Sequence, residues 1–408
     1  MNSLRGHFKI LLLFLGMFAF LLNHTLDSLY NTNGYLLGSI FIVAGFCLSQ
    51  KRRFYSVRII VVLAIMVSSC LLHFLLGYIA TGFFESFLCY VGFPLIAYMI
   101  SNEEWEQDAI IKFVALTGVI SFVGTIFYYI NFLYDVGMFR PIFAPEITIT
   151  YGVVQLKNTS IYGSSLIAGV LSLVQASCCA YLLKKGYPRI WWFVLFLCVF
   201  TLIASLSRRA FVPFVIVVFY LIRDWNLVKK GKFFAFMLFL FGVFAFMSPD
   251  LFVNIFNRFT SIFDMGSTFD GGNQSRLDAI WFGLNQIFSN PFGTGFGSLS
   301  SIGKETKDLW AANDIQGFIG VTESFYLTLI GELGLVQSLL IFTIFIGKYH
   351  LIFDDLRLRM IFLPLCLEAT LGLGFLNPII SLFSLMCILP MIRSDKPGAF
   401  YGDPMLIK

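Results

Sequence analysis

Ser207-Arg208-Arg209 sets two guanidinium groups side by side in a turn of a few residues between two apolar runs. Charge at the edge of hydrocarbon is costly, and a membrane chain that keeps it there is read first as functional. The planar arginine fork matches phosphate and diphosphate oxygens, which it grips through parallel hydrogen bonds. The same two side chains could instead snorkel to lipid phosphates. Arg276 lies in Ser275-Arg276-Leu277-Asp278, which looks like a helix start, with Ser275 as cap and Asp278 at the third position. A cation there opposes the helix dipole, so a bound anion is a natural reason for it. Arg258 could join that anion or be a solvated surface charge.

Four carboxylates fall at or within apolar runs. Glu323, in Thr322-Glu323-Ser324-Phe325-Tyr326, stands where one run begins. A carboxylate partly withdrawn from water has a raised pKa and can take a proton from a hydroxyl. An acid that complements a helix N-terminus explains the position equally well. Glu85 and Glu368 face the same choice, and Glu332, in Gly331-Glu332-Leu333-Gly334, would suit tight small-residue packing with a polar contact. The stretch Asn290-Pro-Phe-Gly-Thr-Gly-Phe-Gly297 could form an anion nest. It follows a helix and not a strand, so it is no dinucleotide fingerprint, and a flexible loop is the simpler reading. The four histidines are scattered, and no Asp-x-Asp pair, Walker loop or nucleophile elbow is present. This argues against an ATP-driven pump and against a nucleotide-sugar transferase with an aqueous site; no cofactor and no metal are assigned.

The elements that must position these groups are membrane helices. Of 408 residues, 58% are hydrophobic and 12% charged, with a mean hydropathy of +0.84, where a soluble domain carries about 25% charge. The apolar residues come in runs of about 20, the length of a membrane-crossing helix, and lipid offers bare backbone groups no other partners. The fold class is therefore all-α, a polytopic membrane helical bundle of about 12 transmembrane helices forming a single integral membrane domain over residues 1–408. Spans are placed near 8–26, 35–49, 58–80, 83–100, 110–131, 161–183, 190–206, 209–222, 233–247, 323–346, 358–375 and 376–392. The first run has no small-residue cleavage site and is read as a retained span. All eight cysteines lie in apolar runs and are read as small buried hydrophobes.

The net charge of +5 sits in short basic clusters between the runs, which suits cytoplasmic loops and not nucleic acid. With both termini in the cytoplasm, 20 of the 28 Lys+Arg fall inside. The outer face keeps Arg140, Lys157, Arg208, Arg209, Arg258, Arg276, Lys304 and Lys307. Two outer loops are long, 132–160 and 248–322, and a loop of the second size usually carries function or structure of its own. Within it, Leu277, Ile280, Trp281, Leu284, Ile287 and Phe288 recur at helical spacing. They predict an amphipathic helix lying on the membrane or over the bundle, stopped by Asn290-Pro291. No internal repeat is found.

The order of these motifs resembles the bacterial O-antigen polymerase and ligase superfamily: Ser207-Arg-Arg209 at an outer turn, Ser275-Arg-Leu-Asp-Ala-Ile-Trp281 and Asn290–Gly297 in a long outer loop, then Glu323-Ser-Phe-Tyr-Leu-Thr-Leu-Ile-Gly-Glu-Leu-Gly334 opening a span. The resemblance is sharp over roughly residues 200–345 and architectural elsewhere. It implies an enzyme of the bacterial inner membrane whose site faces the periplasm and whose substrates are glycans carried on undecaprenyl diphosphate. Neither nucleotide nor metal is needed. Polymerases of the family join repeat units into O-antigen or capsule-type polysaccharide; ligases move a finished chain to lipid A-core. Carried over by position, Arg208 or Arg209 and Arg276 would grip the diphosphate, with Arg258 as a further candidate, and Glu323 would be the catalytic base. Ligases usually carry a histidine near that place, so Glu323 favours a polymerase. The resemblance also implies membrane lipids and a separate chain-length regulator as partners. A lipid-linked glycan flippase is the reading from another class, but it should show two similar halves and a cationic cavity through the core. A reporter fused after Lys304 is expected to be active only in its extracytoplasmic form; cytoplasmic activity would overturn this topology.

Overall fold

In a computed structural model the described residues are 2–48, 57–75, 86–101, 108–134, 142–143, 146–150, 153–247, 253, 271–299, 324–346, 355–372 and 376–392. They form a helical membrane protein with one small hairpin. The helices are α1 (Asn2–Leu21), α2 (Asn23–Tyr30), α3 (Gly34–Cys47), α4 (Val57–Leu75), α5 (Phe93–Ser101), α6 (Ala109–Tyr134), α7 (Ser165–Lys184), α8 (Ile190–Ala204), α9 (Arg208–Ile222), α10 (Leu227–Met247), α11 (Gly271–Ser289), α12 (Phe325–Leu333), α13 (Leu335–Ile346), α14 (Leu363–Leu371) and α15 (Pro378–Ile392). The all-α expectation needs one amendment. Strands β1 (Glu146–Thr150) and β2 (Val153–Lys157) pair antiparallel inside the first long loop, with Glu146 opposite Lys157 and Thr150 opposite Val153.

The helix α7 is the centre of the bundle. Its sequence is rich in small residues, among them Ala168, Gly169, Ser172, Ala176, Ser177, Cys178, Cys179 and Ala180, and all of these are buried. Lipid supplies no hydrophobic drive between helices, so close approach through small side chains is what holds them; α6, α8, α9 and α15 all pack on α7. Polar side chains tie the same interface. Gln175 Nε2 donates to Thr117 Oγ1 at 3.0 Å and Ser121 Oγ at 2.9 Å, Ser121 meets the Tyr162 hydroxyl at 2.6 Å, and Asn158 Nδ2 donates to Thr125 Oγ1 at 2.8 Å. The α1–α3 contact uses the same device: a Cβ on Gly16 would come within 2.8 Å of the Gly38 carbonyl, and one on Gly38 within 2.8 Å of the Gly16 carbonyl. All eight cysteines are free thiols; six are buried as expected, whereas Cys47 is exposed and Cys366 half-buried.

Several spans differ from the linear reading. The first bends by 73° between α1 and α2, and the tenth by 113° between α12 and α13 at Gly334. Among the described residues, α6 and α7 are each long and apolar enough to cross a membrane, the bent pairs raise that to as many as 4, and shorter apolar helices lie beside them. Two π-helical turns, Leu88–Gly92 and Leu358–Phe362, each run into a helix with proline at its second residue, Pro94 and Pro364. Proline cannot donate to the carbonyl four residues back and its ring clashes with it, so a widened turn is the local accommodation. Asn377-Pro378 opens α15: the Asn377 side chain accepts from Ile379 N at 3.1 Å and proline takes the first helical position.

One end of the bundle is closed by a charge cluster. The Asp108 side chain, fully buried, accepts from Lys185 Nζ at 2.6 Å, from Arg357 and from the Tyr187 hydroxyl at 3.0 Å. Arg357 Nε also reaches the Tyr181 hydroxyl at 3.1 Å, so the cluster ties the start of α6, the end of α7 and the segment leading to α14. Burial pushes the Asp108 carboxyl up, but the Lys185 hydrogen bond and the charges of Arg357 and Lys185 outweigh it and hold it below its ordinary 3.8. A depressed carboxyl stabilises the fold above its ordinary pKa and loses that contribution as pH falls through the folded value. Asp108→Ala is therefore expected to cost about 3–5 kcal/mol, because it leaves two cations without their anion. Asp108→Asn should flatten the loss of thermal stability below pH 3.8, both measured by unfolding of the detergent-solubilised protein.

Candidate functional site

At the opposite end of the bundle, α8 turns into α9 through Leu206, whose φ is 52°, and the extended Ser207. The turn sits tightly on α7, where a Cβ on Gly169 would lie 2.5 Å from Ser207 Cβ. Asn158 N donates to the Ala204 carbonyl at 3.2 Å and braces it from the side. Arg208 and Arg209 are thereby the first two residues of α9. This is where the helix dipole disfavours cations and favours anions. Arg208 is 6% exposed, and Arg209 is half-buried.

Arg209 lies against Gly372, and Glu368 approaches the same glycine. Glu368, on the last turns of α14, is fully buried, and the helix ends one turn later at the extended Gly372. A Cβ on Gly372 would lie 2.8 Å from Glu368 Oε1, 3.0 Å from Arg209 Cδ and 3.3 Å from Arg209 Nη1. The Gly372 backbone conformation is open to any residue, and a Cβ there would have to displace the ends of these two side chains. The carbonyl of Gly372 also accepts from Phe325 N at 2.9 Å, and Ser324 Oγ reaches the Ala369 carbonyl at 3.5 Å. The start of α12 is thus fastened at Gly372, beside Arg209. The Tyr326 ring follows in that turn, within electrostatic reach of Cys366 and Glu368.

Glu323, the expected base, lies outside the described residues, one peptide bond before Ser324. Arg258, Glu85 and Lys304 also lie outside them. The backbone of Arg276 is described, but not as a helix start. The helix α11 begins at Gly271, so Ser275 is inside it and does not cap it, and Arg276 sits more than one turn in. The dipole argument for Arg276 therefore weakens, because the effect fades within the first turn. The amphipathic face is also divided differently. Ala279, Gly283 and Ile287 are buried, with Ile287 beside Gly331 of α12, while Trp281 and Phe288 are 65% and 76% exposed. The helix stops at Ser289, directly before Asn290-Pro291.

The glycine-rich stretch after α11 is neither a loose loop nor a vacant nest. It clasps the break between α12 and α13. Thr294 N donates to the Gly331 carbonyl at 2.9 Å, Gly295 N to the Glu332 carbonyl at 3.1 Å, and Leu335 N to the Pro291 carbonyl at 2.8 Å. The buried Glu332 carboxylate accepts from Leu299 N at 3.0 Å. So the Thr294 and Gly295 amides are taken by carbonyls at the helix break and not by a bound anion. The helix α4 completes the junction: Ser69 Oγ donates to the Leu333 carbonyl at 3.3 Å, and His73 Nε2 lies 3.2 Å from the Phe292 carbonyl. The Tyr90 hydroxyl faces Glu332 from the π-turn before α5. A cavity of about 310 Å³ opens here, lined by Leu72, His73 and residues 289–293; it lies apart from the arginine pair. Sequence reasoning missed Ser69 and His73, although a polar pair at i, i+4 on one face of an apolar span was a usable signal. Among the described residues, no three metal-ligating side chains come together.

The clasp depends on backbone that other residues do not accept. Gly293 has φ 94°, and a Cβ there would lie 2.5 Å from the Glu332 carbonyl oxygen and 2.7 Å from Leu333 C. Gly293→Ala is expected to lower stability by about 2 kcal/mol or more, from left-handed strain and overpacking together. Gly231→Ala, with nothing within 4 Å on an exposed helix, should leave stability unchanged or slightly raised. Thermal unfolding of both variants in one detergent makes the comparison.

Comparison with known proteins gives one family. Residues 193–342 match the family described as O-antigen ligase. The matched stretch runs from early α8 through Arg208 and Arg209, α11 and the glycine clasp, past the break at Gly334, and leaves Glu368 and Gly372 outside it. No curated protein and no solved structure matches the chain. This chain is therefore similar, over its arginine turn and its broken helix, to proteins of the O-antigen polymerase and ligase superfamily.

Proposed function

We propose that this protein is a glycosyltransferase acting on glycans linked to undecaprenyl diphosphate, and specifically a polymerase that joins repeat units at the periplasmic face of the inner membrane. The observation that carries this reading is the half-buried Arg209 at the head of α9, set against Gly372, whose carbonyl accepts from Phe325 N at 2.9 Å. In the reaction a hydroxyl of the acceptor glycan attacks the anomeric carbon of the donor. The new C–O bond forms, the bond from that carbon to the diphosphate oxygen breaks, and the hydroxyl proton passes to the base. Guanidinium groups near the departing oxygens stabilise the charge that develops there, so no proton need be donated to the leaving group. Glu323 is the candidate base that would take the hydroxyl proton. Arg276 and Arg258 are further candidates for the diphosphate. Membrane lipids and a chain-length regulator are the partners that accompany this reading, and both termini would lie in the cytoplasm.

The ligase reading stands beside it because the matched family is described as O-antigen ligase. The choice of polymerase rests on Glu323 standing where the ligases resemble one another in carrying histidine. Removal of the protein separates the two. A polymerase deletion should leave lipid A-core bearing a single repeat, with the ladder of longer species gone. Bare core with long chains stranded on undecaprenyl diphosphate would mean ligase, and an unchanged ladder would reject both for this glycan. At normal protein level, Glu323→Gln and Arg209→Ala should each reduce polymer at least a hundredfold, in the range seen when a general base or a charge-stabilising donor is removed. Full-length glycan from Glu323→Gln would remove the base assignment.

A further inference from the structure

We propose that the helix ends meeting at Trp225, at the end of the bundle closed by the Asp108 cluster, form a binding site for the headgroup of an anionic phospholipid. The inference is independent of the glycan chemistry proposed above and needs only that the chain sits in a membrane. Three observations carry it. Trp225, in the turn from α9 to α10, sits between Trp192 on the first turn of α8 and Phe233 on α10, with ring centroids 5.8 and 5.7 Å away. Cations outnumber acids around this stack. Asp224 pairs with Lys184 at 2.7 Å and lies 3.5 Å from Arg223, and the charge of Arg359 also reaches it. The Arg359 Nε is buried without a hydrogen-bond partner. Lys229, Lys230 and Lys232 follow in the first two turns of α10, and among the described residues none of the three has an acidic partner. Thirdly, the helix faces leading away from the stack are apolar and exposed, with Phe193 and Phe196 on α8 and Leu238 and Phe239 on α10.

The physical argument follows from what these groups need. Lysines near the N-terminus of α10 work against the helix dipole, and with Arg223 close by they also repel one another. An anion among them relieves both. Asn226 Oδ1 already accepts from Lys229 N at 2.9 Å, so side chains and not the capped backbone hold that anion. A free anion would answer the charge alone. The tryptophan pair and the exposed apolar faces beside it call for a molecule that is anionic at one end and hydrocarbon at the other. A phospholipid of the surrounding bilayer is that molecule. The amphipathic indole suits the level of the headgroups, and lysine stems run along apolar surface to bring their ammonium groups there. Basic clusters beside a span attract anionic headgroups through this combination. Asp224 holds Lys184 to the turn, so the α7 end and the turn face the headgroup together.

The test is native mass spectrometry of the full-length protein in detergent, with phosphatidylglycerol or phosphatidylcholine added at equal concentration. Wild-type protein should retain phosphatidylglycerol about tenfold better, since each cation near an anionic headgroup contributes several-fold. Lys229→Gln, Lys230→Gln and Lys232→Gln together should bring that preference down to about twofold or less. Trp225→Ala should weaken retention of phosphatidylglycerol, and Trp225→Phe, which keeps a ring in the stack, should restore most of it. Lys51→Gln, Arg52→Gln and Arg53→Gln together remove the same charge from another basic cluster of the sequence and should leave the preference intact. An equal loss in that control would mean a general attraction of basic protein for acidic lipid and overturns the site. Equal retention of the two lipids by the wild type overturns it, as does an unchanged preference in the lysine triple variant. If millimolar inorganic phosphate displaces phosphatidylglycerol, the cations serve a free anion and the proposal falls.

Discussion

In hydrocarbon, a backbone amide or carbonyl without a partner costs several kcal/mol, and no water is there to supply one. Long stretches satisfy this rule by being helical. The break at Gly334 has to satisfy it by other means, and the chain does so with a second segment. Pro291, Thr294 and Gly295 pair with the groups that α12 and α13 expose where they part, and Leu299 N–H is given to the Glu332 carboxylate. Ser69 and His73 complete the junction from α4. The glycines make this possible because their positive φ aims successive amides at one place. A stretch that looks like a flexible linker in one dimension is thus the part of the loop most committed to a single conformation.

Two charged sites then lie at opposite ends of the same helices. Through α7, Gly169 makes room for the turn that carries the arginines, and Lys185, just beyond the helix, reaches Asp108. The segment running into α14 bears Arg357 at the Asp108 cluster and, further on, Glu368 and Gly372 at Arg209. The Asp108 cluster therefore fixes the depth and rotation of the helices whose other ends build the candidate site. The Asp108 cluster and the arginine pair lie apart, at different ends of these helices.

Much of the site was visible as a set of unusual residues and invisible as an arrangement. Arg208 and Arg209 stood out because cations between apolar runs are rare, and Glu368 and Glu332 because carboxylates inside such runs are rarer still. Their fates differ: Glu332 is bound into the clasp, and Glu368 is buried in α14 near Gly372. Nothing in spacing could separate them, since each is one acid in one apolar helix. The helix start assigned to Ser275 was wrong for a related reason. Capping patterns are local and recur by chance, and α11 begins earlier at Gly271.

Helicity, membrane residence and the approximate ends of most elements follow from composition and run length. They depend on how much apolar surface a segment carries and on the absence of water, which are local properties. Proline and asparagine were equally local in their effects, as Pro291 after α11 and Asn377-Pro378 before α15 show. Which carboxylate meets which guanidinium depends instead on rotation and depth, and in a helix one residue of register turns a side chain by about 100°. That register is set by contacts between helices distant in sequence, above all the small-residue packing around α7 and the approach of α9 to α14 at Gly372. Such contacts exist only once the bundle has closed, because each helix obtains its rotation from the neighbours it is packed against.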